Sequence, residues 1–206
     1  MEKDKKKLEG KEERSFRTME IRDEDEDKQI FGYAALFDDP ADEINGFIER
    51  VAPGAFTETL KSSDPRALIN HEAGKLLGRF SKGTLKLKED KKGLYYEINP
   101  PETSYANDLL ELLKRGDIDQ SSFQFTVDKE EWDESGEVPV RTIVKVAELF
   151  DVSPVTFPWY KNTVAGVKSR AEVFEEYRRR QQKFAKDKLD LYKKKIKLHE
   201  RDDLNG

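Results

Sequence analysis

The sequence predicts an α+β protein. Its body is a mostly antiparallel β core, barrel-like and flanked by helices, and a long charged helix follows at the C-terminus. Three observations carry this. Short apolar runs with partial two-residue alternation recur along the first three quarters of the chain, separated by acidic, Gly- or Pro-marked turns, which is the pattern of hairpins. Few stretches of that body have helical spacing. From Ala171 onward there is no Gly or Pro until the final residue, and Glu, Lys, Arg and Gln dominate, so a long helix follows.

Taken in order, residues 1–14 are almost all charged and read as a disordered N-terminus. Met19 and Ile21 share one face of an extended segment, and residues 29–37 form a second, more apolar run. The acidic stretch 23–28 between them cannot be buried, so the pair reads as a hairpin. Pro53-Gly54 turns the chain into a short helix over 55–61. Residues 66–72 read as a strand ending in His71. Residues 78–87 and 93–98 read as the two arms of another hairpin, with a polar turn at 88–92. Pro100-Pro101 ends that strand. A helix then runs over 105–115, with Thr103 or Ser104 as cap, an apolar face of Leu109, Leu110, Leu112 and Leu113, and Gly116 as its stop. Residues 121–127 and 141–155 are strands, the second long enough to kink, with a polar excursion over 130–139. The tail carries an apolar residue every seven (Tyr177, Phe184, Leu191, Leu198). The intervening positions Gln181, Lys188 and Lys195 are polar, so this is a narrow stripe and no zipper.

Composition narrows the function. Charged residues make up 39 % and apolar ones 35 %, which suits solvated tails around a smaller folded body. The organisation expected is a charged segment 1–14, a body 15–169 and a basic helical tail 170–206. That tail carries 12 Lys/Arg against 8 Asp/Glu, whereas residues 1–169 carry 26 against 35, so a basic helix follows an acidic body. No cysteine is present, which excludes disulfides, thiolate nucleophiles and thiolate metal sites and fits a reducing compartment. No apolar run approaches the roughly 20 residues of a membrane span, and residues 1–14 have no signal-peptide core, so a soluble intracellular protein is expected. No phosphate-binding or dinucleotide fingerprint occurs, two distant histidines make no zinc site, and the basic tail lacks the aromatic interleaving of a nucleic-acid binder. Neither cofactor, metal, membrane nor nucleic acid is therefore expected.

What remains is hydroxyl chemistry. A hydroxyl nucleophile needs a base, and neutral imidazole is the natural one. His71 is the sole histidine of the body, because His199 lies in the tail. Ser121 and Ser122 open an alternating strand in which Ser121, Phe123 and Phe125 share one face and Ser122, Gln124 and Thr126 the other. The phenylalanine face is core, which leaves Ser122 where a substrate could reach it. A third member that orients the imidazole could be Glu148 or Asp151, carboxylates in an apolar strand that need a partner to offset desolvation. A lone histidine at a strand end is more often structural, and an ordinary salt bridge would equally satisfy either carboxylate.

At these residues the chain resembles the prohead (procapsid) maturation serine proteases of tailed phages, related in fold to herpesvirus assemblin. The resemblance rests on an ordered set of pieces: Gly32-Tyr33-Ala34-Ala35-Leu36-Phe37; Glu49 with Pro53-Gly54-Ala55-Phe56; Leu68-Ile69-Asn70-His71-Glu72; Leu77-Gly78-Arg79; Lys92-Gly93-Leu94; residues 116–125; and residues 151–158. It implies His71 as general base, Ser122 as nucleophile with Ser121 as alternative, and Asp151 as third member with Glu148 as alternative. Pro158-Trp159 stands where the family has proline-alanine. The resemblance also implies an assemblin-like barrel and a serine endopeptidase packaged in the procapsid in the host bacterial cytoplasm. Its substrates would be the scaffold, the major capsid protein and itself, and assemblin relatives suggest a homodimer. The oxyanion donors would be backbone N–H groups or an arginine, Arg79 or Arg141. The competing expectation is a non-catalytic capsid-assembly protein that uses the same fold and the charged helix.

Overall fold

The computed structural model describes residues 11–16, 19–24, 27–38, 46–157, 167–168 and 170–202. The chain divides into two compact units, Met1–Ser169 and Arg170–Gly206. The first holds eleven described strands in two sheets.

The larger sheet has seven strands. Along its path lie β11 (Val167–Lys168), β1 (Lys11–Phe16), β9 (Gln120–Asp133), β10 (Val140–Val155), β5 (Arg66–Ile69) and β6 (Glu72–Arg79). A seventh strand, β4 (Ile48–Val51), pairs with β10 off that path. The smaller sheet runs β2 (Met19–Glu24), β3 (Asp27–Leu36), β8 (Gly93–Ile98), β7 (Leu85–Glu89). Pairing is mostly antiparallel; β1–β11, β10–β4 and β10–β5 are parallel.

The expected barrel-like closure does not occur. The sheets remain open, with β11 and β6 ending one path and β2 and β7 the other. The reason lies in β10 and β6. The outer edge of β10 is divided between β4, opposite Val140 to Ile143, and β5, opposite Asp151 and Val152. After β6 the chain turns through a single 3-10 turn, Phe80–Lys82, and Gly83 in the left-handed region (φ 73°), then enters the second sheet. One core forms from both sheets and α2 (Ser104–Arg115): Ile30, Leu94, Tyr96 and Ile98 from the smaller sheet, Phe123, Phe125, Leu149 and Val152 from the larger, and Ala106, Leu109, Leu110 and Leu113 from α2. Phe123 stacks on Phe125 at 4.7 Å between ring centroids and meets Phe56 edge-on at 5.6 Å.

Two glycines of the family-like motifs have steric reasons to be glycine. A Cβ at Gly93 would lie 2.0 Å from the Ala35 carbonyl oxygen, and one at Gly78 would lie 2.6 Å from that of Thr84. Both mark places where backbones meet with no room for a side chain.

Several boundaries differ from the sequence expectation. Residues 11–14, expected in the disordered N-terminus, belong to β1; residues 1–10 lie outside the described residues. The helix expected over 55–61 is only α1 (Thr59–Ser62), preceded by turns. Residues 78–79 end β6 and do not begin the following hairpin arm. β9 continues to Asp133, well into the expected polar excursion, and β10 carries register shifts between Ile143 and Asp151 where a kink was expected. α2 ends as read, on Gly116 in the left-handed region (φ 77°), and Thr103 occupies its N-cap without a side-chain cap bond. In the second unit, α3 (Arg170–Asp202) is one continuous helix. Phe184 is exposed, and the side chains of Leu191 and Leu198 lie outside the described residues.

Candidate active site

His71 does not end a strand. It is the second residue of a two-residue turn between β5 and β6, where Ile69 pairs with Glu72. Both turn residues have positive φ, 51° at Asn70 and 59° at His71, as the tight hairpin turn demands. Asn tolerates the left-handed region, but the second position usually takes glycine, so His71 holds a conformation that costs of order 1–3 kcal/mol. Asn70 supplies the compensation. Its backbone N–H donates to the Pro154 carbonyl (2.9 Å), its Oδ1 accepts from the Thr156 N–H (2.9 Å), and its Nδ2 donates to Thr156 Oγ1 (3.2 Å). The turn is thereby fastened to the end of β10, the strand that carries Asp151.

This turn then meets two strands, β9 and β10. His71 Nδ1 lies 2.5 Å from Asp151 Oδ1, and His71 Nε2 lies 2.8 Å from Ser122 Oγ. An ionised carboxylate only accepts, so the ring proton belongs on Nδ1 and Nε2 turns its lone pair to the Ser122 hydroxyl. Asp151 Oδ1 also accepts a hydrogen bond from Ser153 Oγ at 2.8 Å. Ser153 is the β10 residue directly opposite Ser122. The chain Ser122–His71–Asp151–Ser153 therefore runs from near the start of β9 to β10 through a hairpin turn. Asp151 and Ser153 are buried, while the His71 side chain keeps 11 % exposure.

The two adjacent serines separate as strand alternation requires. Ser121 faces the core, 2.5 Å from the Tyr96 hydroxyl, and burial pushes the Tyr96 phenol well above its ordinary range. Ser122 faces His71. The expectation that a substrate could reach it needs correction, because Ser122 is 0 % exposed. Glu148, the alternative third member, lies opposite Thr126, while Nδ1 of His71 faces Asp151.

The two arginines offered as oxyanion donors are both engaged, Arg141 through its whole guanidinium and Arg79 through two of its three nitrogens. Arg141 is 1 % exposed and its guanidinium makes five hydrogen bonds. Two go to Glu12 on β1 (2.6 and 2.8 Å), one to Glu49 on β4 (2.7 Å) and two to Glu130 on β9 (2.8 and 2.6 Å). Burial opposes the guanidinium charge, but Glu12 first, then Glu49 and Glu130, outweigh it and raise the arginine's proton affinity further. Arg79 pairs with Asp64 through Nε (2.7 Å) and Nη2 (2.6 Å). Local spacing carries no sign of the Arg141 cluster, because Glu12 and Glu49 lie 129 and 92 residues from it.

No described helix is long and apolar enough to cross a membrane. Neither the curated proteins nor the solved structures contain a match to the chain. A family model does match, that of the caudovirus prohead serine protease, over residues 16–179. That span takes in both sheets from β2 onward, every residue of the Ser122–His71–Asp151–Ser153 chain and the first turns of α3, and the protein belongs to the caudovirus prohead serine protease family.

Proposed function

We propose that the protein is a serine endopeptidase of phage procapsid maturation, with Ser122 as nucleophile, His71 as general base and Asp151 as the residue that orients the imidazole. The observation that supports this most is the hydrogen-bonded chain from Ser122 Oγ through both ring nitrogens of His71 to a buried Asp151. In the reaction Ser122 Oγ attacks the scissile carbonyl carbon while its proton passes to His71 Nε2. The resulting imidazolium is stabilised by Asp151. Nε2 then protonates the leaving amine as the C–N bond breaks, and water repeats the sequence on the acyl-enzyme. The Arg141 guanidinium is fully engaged by carboxylates, which favours backbone N–H groups as the oxyanion donors.

The substrates proposed are scaffold or major capsid protein inside the procapsid, and the enzyme itself, with the basic tail of residues 170–206 as a docking element removed by self-cleavage. Co-expression of the protease with its capsid protein tests the reading. Ser122→Ala should abolish both capsid-protein trimming and loss of the tail, and Ser121→Ala should retain both. Normal processing by both variants would reject the enzyme in favour of an assembly protein, for which His71→Ala should also leave assembly unchanged.

A further inference from the structure

The imidazole of His71 and the hydroxyl of Ser153 meet on the same carboxylate oxygen. Oδ1 of Asp151 faces His71 Nδ1 at 2.5 Å and accepts from Ser153 Oγ at 2.8 Å. A carboxylate oxygen offers two lone pairs, and here both directions are used, one by each partner. Rotation of the carboxylate about its Cβ–Cγ bond would therefore break two charge-assisted bonds at once.

Strand geometry puts Ser153 in this position. Residues two apart on a strand share a face, so Asp151 and Ser153 point the same way from β10. Ser153 is in register with Ser122 on β9, and opposed side chains on neighbouring strands stand about 4.5–5.5 Å apart at Cβ. At 1 % exposure, Ser153 is shielded from solvent, and a bulk water cannot easily replace its hydroxyl. Removal of that hydroxyl would leave Asp151 with a vacant acceptor direction in a buried place and with freedom to turn Oδ1 away from Nδ1.

The geometry points to Ser153 as a positioning residue of the Ser122–His71–Asp151 site: its hydroxyl fixes the Asp151 carboxylate, and through it the imidazole, in the orientation that activates Ser122. This rests on the catalytic reading proposed above. It also accounts for a serine two residues after the acidic member, a feature that neither core packing nor strand propensity requires.

The test measures how fast a fluorophosphonate modifies the full-length protein. In that reaction the Ser122 Oγ–P bond forms, the P–F bond breaks, fluoride leaves and the hydroxyl proton passes to His71, so the rate reads activation of Ser122 without a peptide-binding step. Three variants separate chemistry from volume: Ser153→Ala lacks the hydroxyl, Ser153→Thr keeps it and adds a methyl, and Ser153→Val has the shape of threonine without the hydroxyl. Each rate is measured well below the variant's own thermal unfolding midpoint. The expected result is a loss of about 10- to 100-fold for Ala and Val, the rate equivalent of one hydrogen bond to a charged group, with Thr near the wild-type rate. Ser153→Ala at the wild-type rate would overturn the inference, as would a folded Thr variant as slow as Val. If threonine and valine both prevent folding, the smaller alanine variant decides alone. Absence of any Ser122-dependent modification, together with unchanged capsid-protein processing by Ser122→Ala, would instead remove the catalytic reading itself.

Discussion

The β9–β10 ribbon carries a buried polar cluster at each end, and the two are built on opposite principles. Near the start of β9, Ser122, His71, Asp151 and Ser153 form a linear chain that reaches a partly exposed imidazole on a turn of positive φ. Near its end, Arg141 is enclosed by Glu12, Glu49 and Glu130 with every guanidinium donor used. The first holds an imidazole between a carboxylate and a hydroxyl, and a backbone conformation that costs free energy. The second holds a cation that cannot lose its proton and ties β1, β4, β9 and β10 together. The cluster proposed for chemistry thus reaches solvent at His71, while the structural one is enclosed.

Substitutions sharpen the contrast, and the largest effects belong to the first cluster. Ser122→Ala and His71→Ala should each lower peptidase activity by about 10⁴-fold or more with little change in unfolding midpoint, as measured by cleavage assay and calorimetry. Asp151→Asn should cost about 10⁴-fold, because the amide favours the wrong imidazole tautomer, whereas Glu148→Gln should stay within a few-fold of wild type. Arg141→Met should do the reverse. It leaves three carboxyl groups without their cation and should destabilise the fold by about 3–5 kcal/mol in denaturant titration, with any activity loss following the folded fraction.

Smaller effects test the surroundings. Ser121→Ala leaves the buried Tyr96 hydroxyl without its partner and should lower stability by about 1–3 kcal/mol while activity persists. Asp64→Asn should have the smallest effect, and a pH-dependent one. The Arg79 hydrogen bond holds the Asp64 carboxyl well below its ordinary range. A lowered folded value means stabilisation that is complete above the ordinary carboxylate range and lost as pH falls through the folded value. The difference in unfolding midpoint between wild type and Asp64→Asn should therefore shrink on acidification.

How much could be read in advance follows the same division. Ser122 was separable from Ser121 because strand alternation is local: Phe123 and Phe125 fix the core face, and one residue's shift reverses the side. The carboxylate choice needed the family-like run around Asp151, since Glu148 sits in an equally apolar context. The turn at Asn70-His71 was hidden because an apolar run followed by a polar pair also fits a strand end, and only pairing of Ile69 with Glu72 distinguishes them. Glu12 falls in a run that by composition suits disorder, because its neutralising partner is 129 residues away. Barrel closure failed for a similar reason, as the sharing of β10's edge by β4 and β5 is a non-local event with no mark in either strand.

In the proposed reading the Ser122 hydroxyl, and not its neighbour's, is activated by His71. Fragmentation mass spectrometry of the fluorophosphonate-treated protein tests it most directly, because cleavage between residues 121 and 122 assigns the adduct to one serine. The adduct should lie on Ser122 in the wild type and be absent from His71→Ala. An adduct on Ser121, or one on Ser122 that forms equally fast without the histidine, would contradict the account.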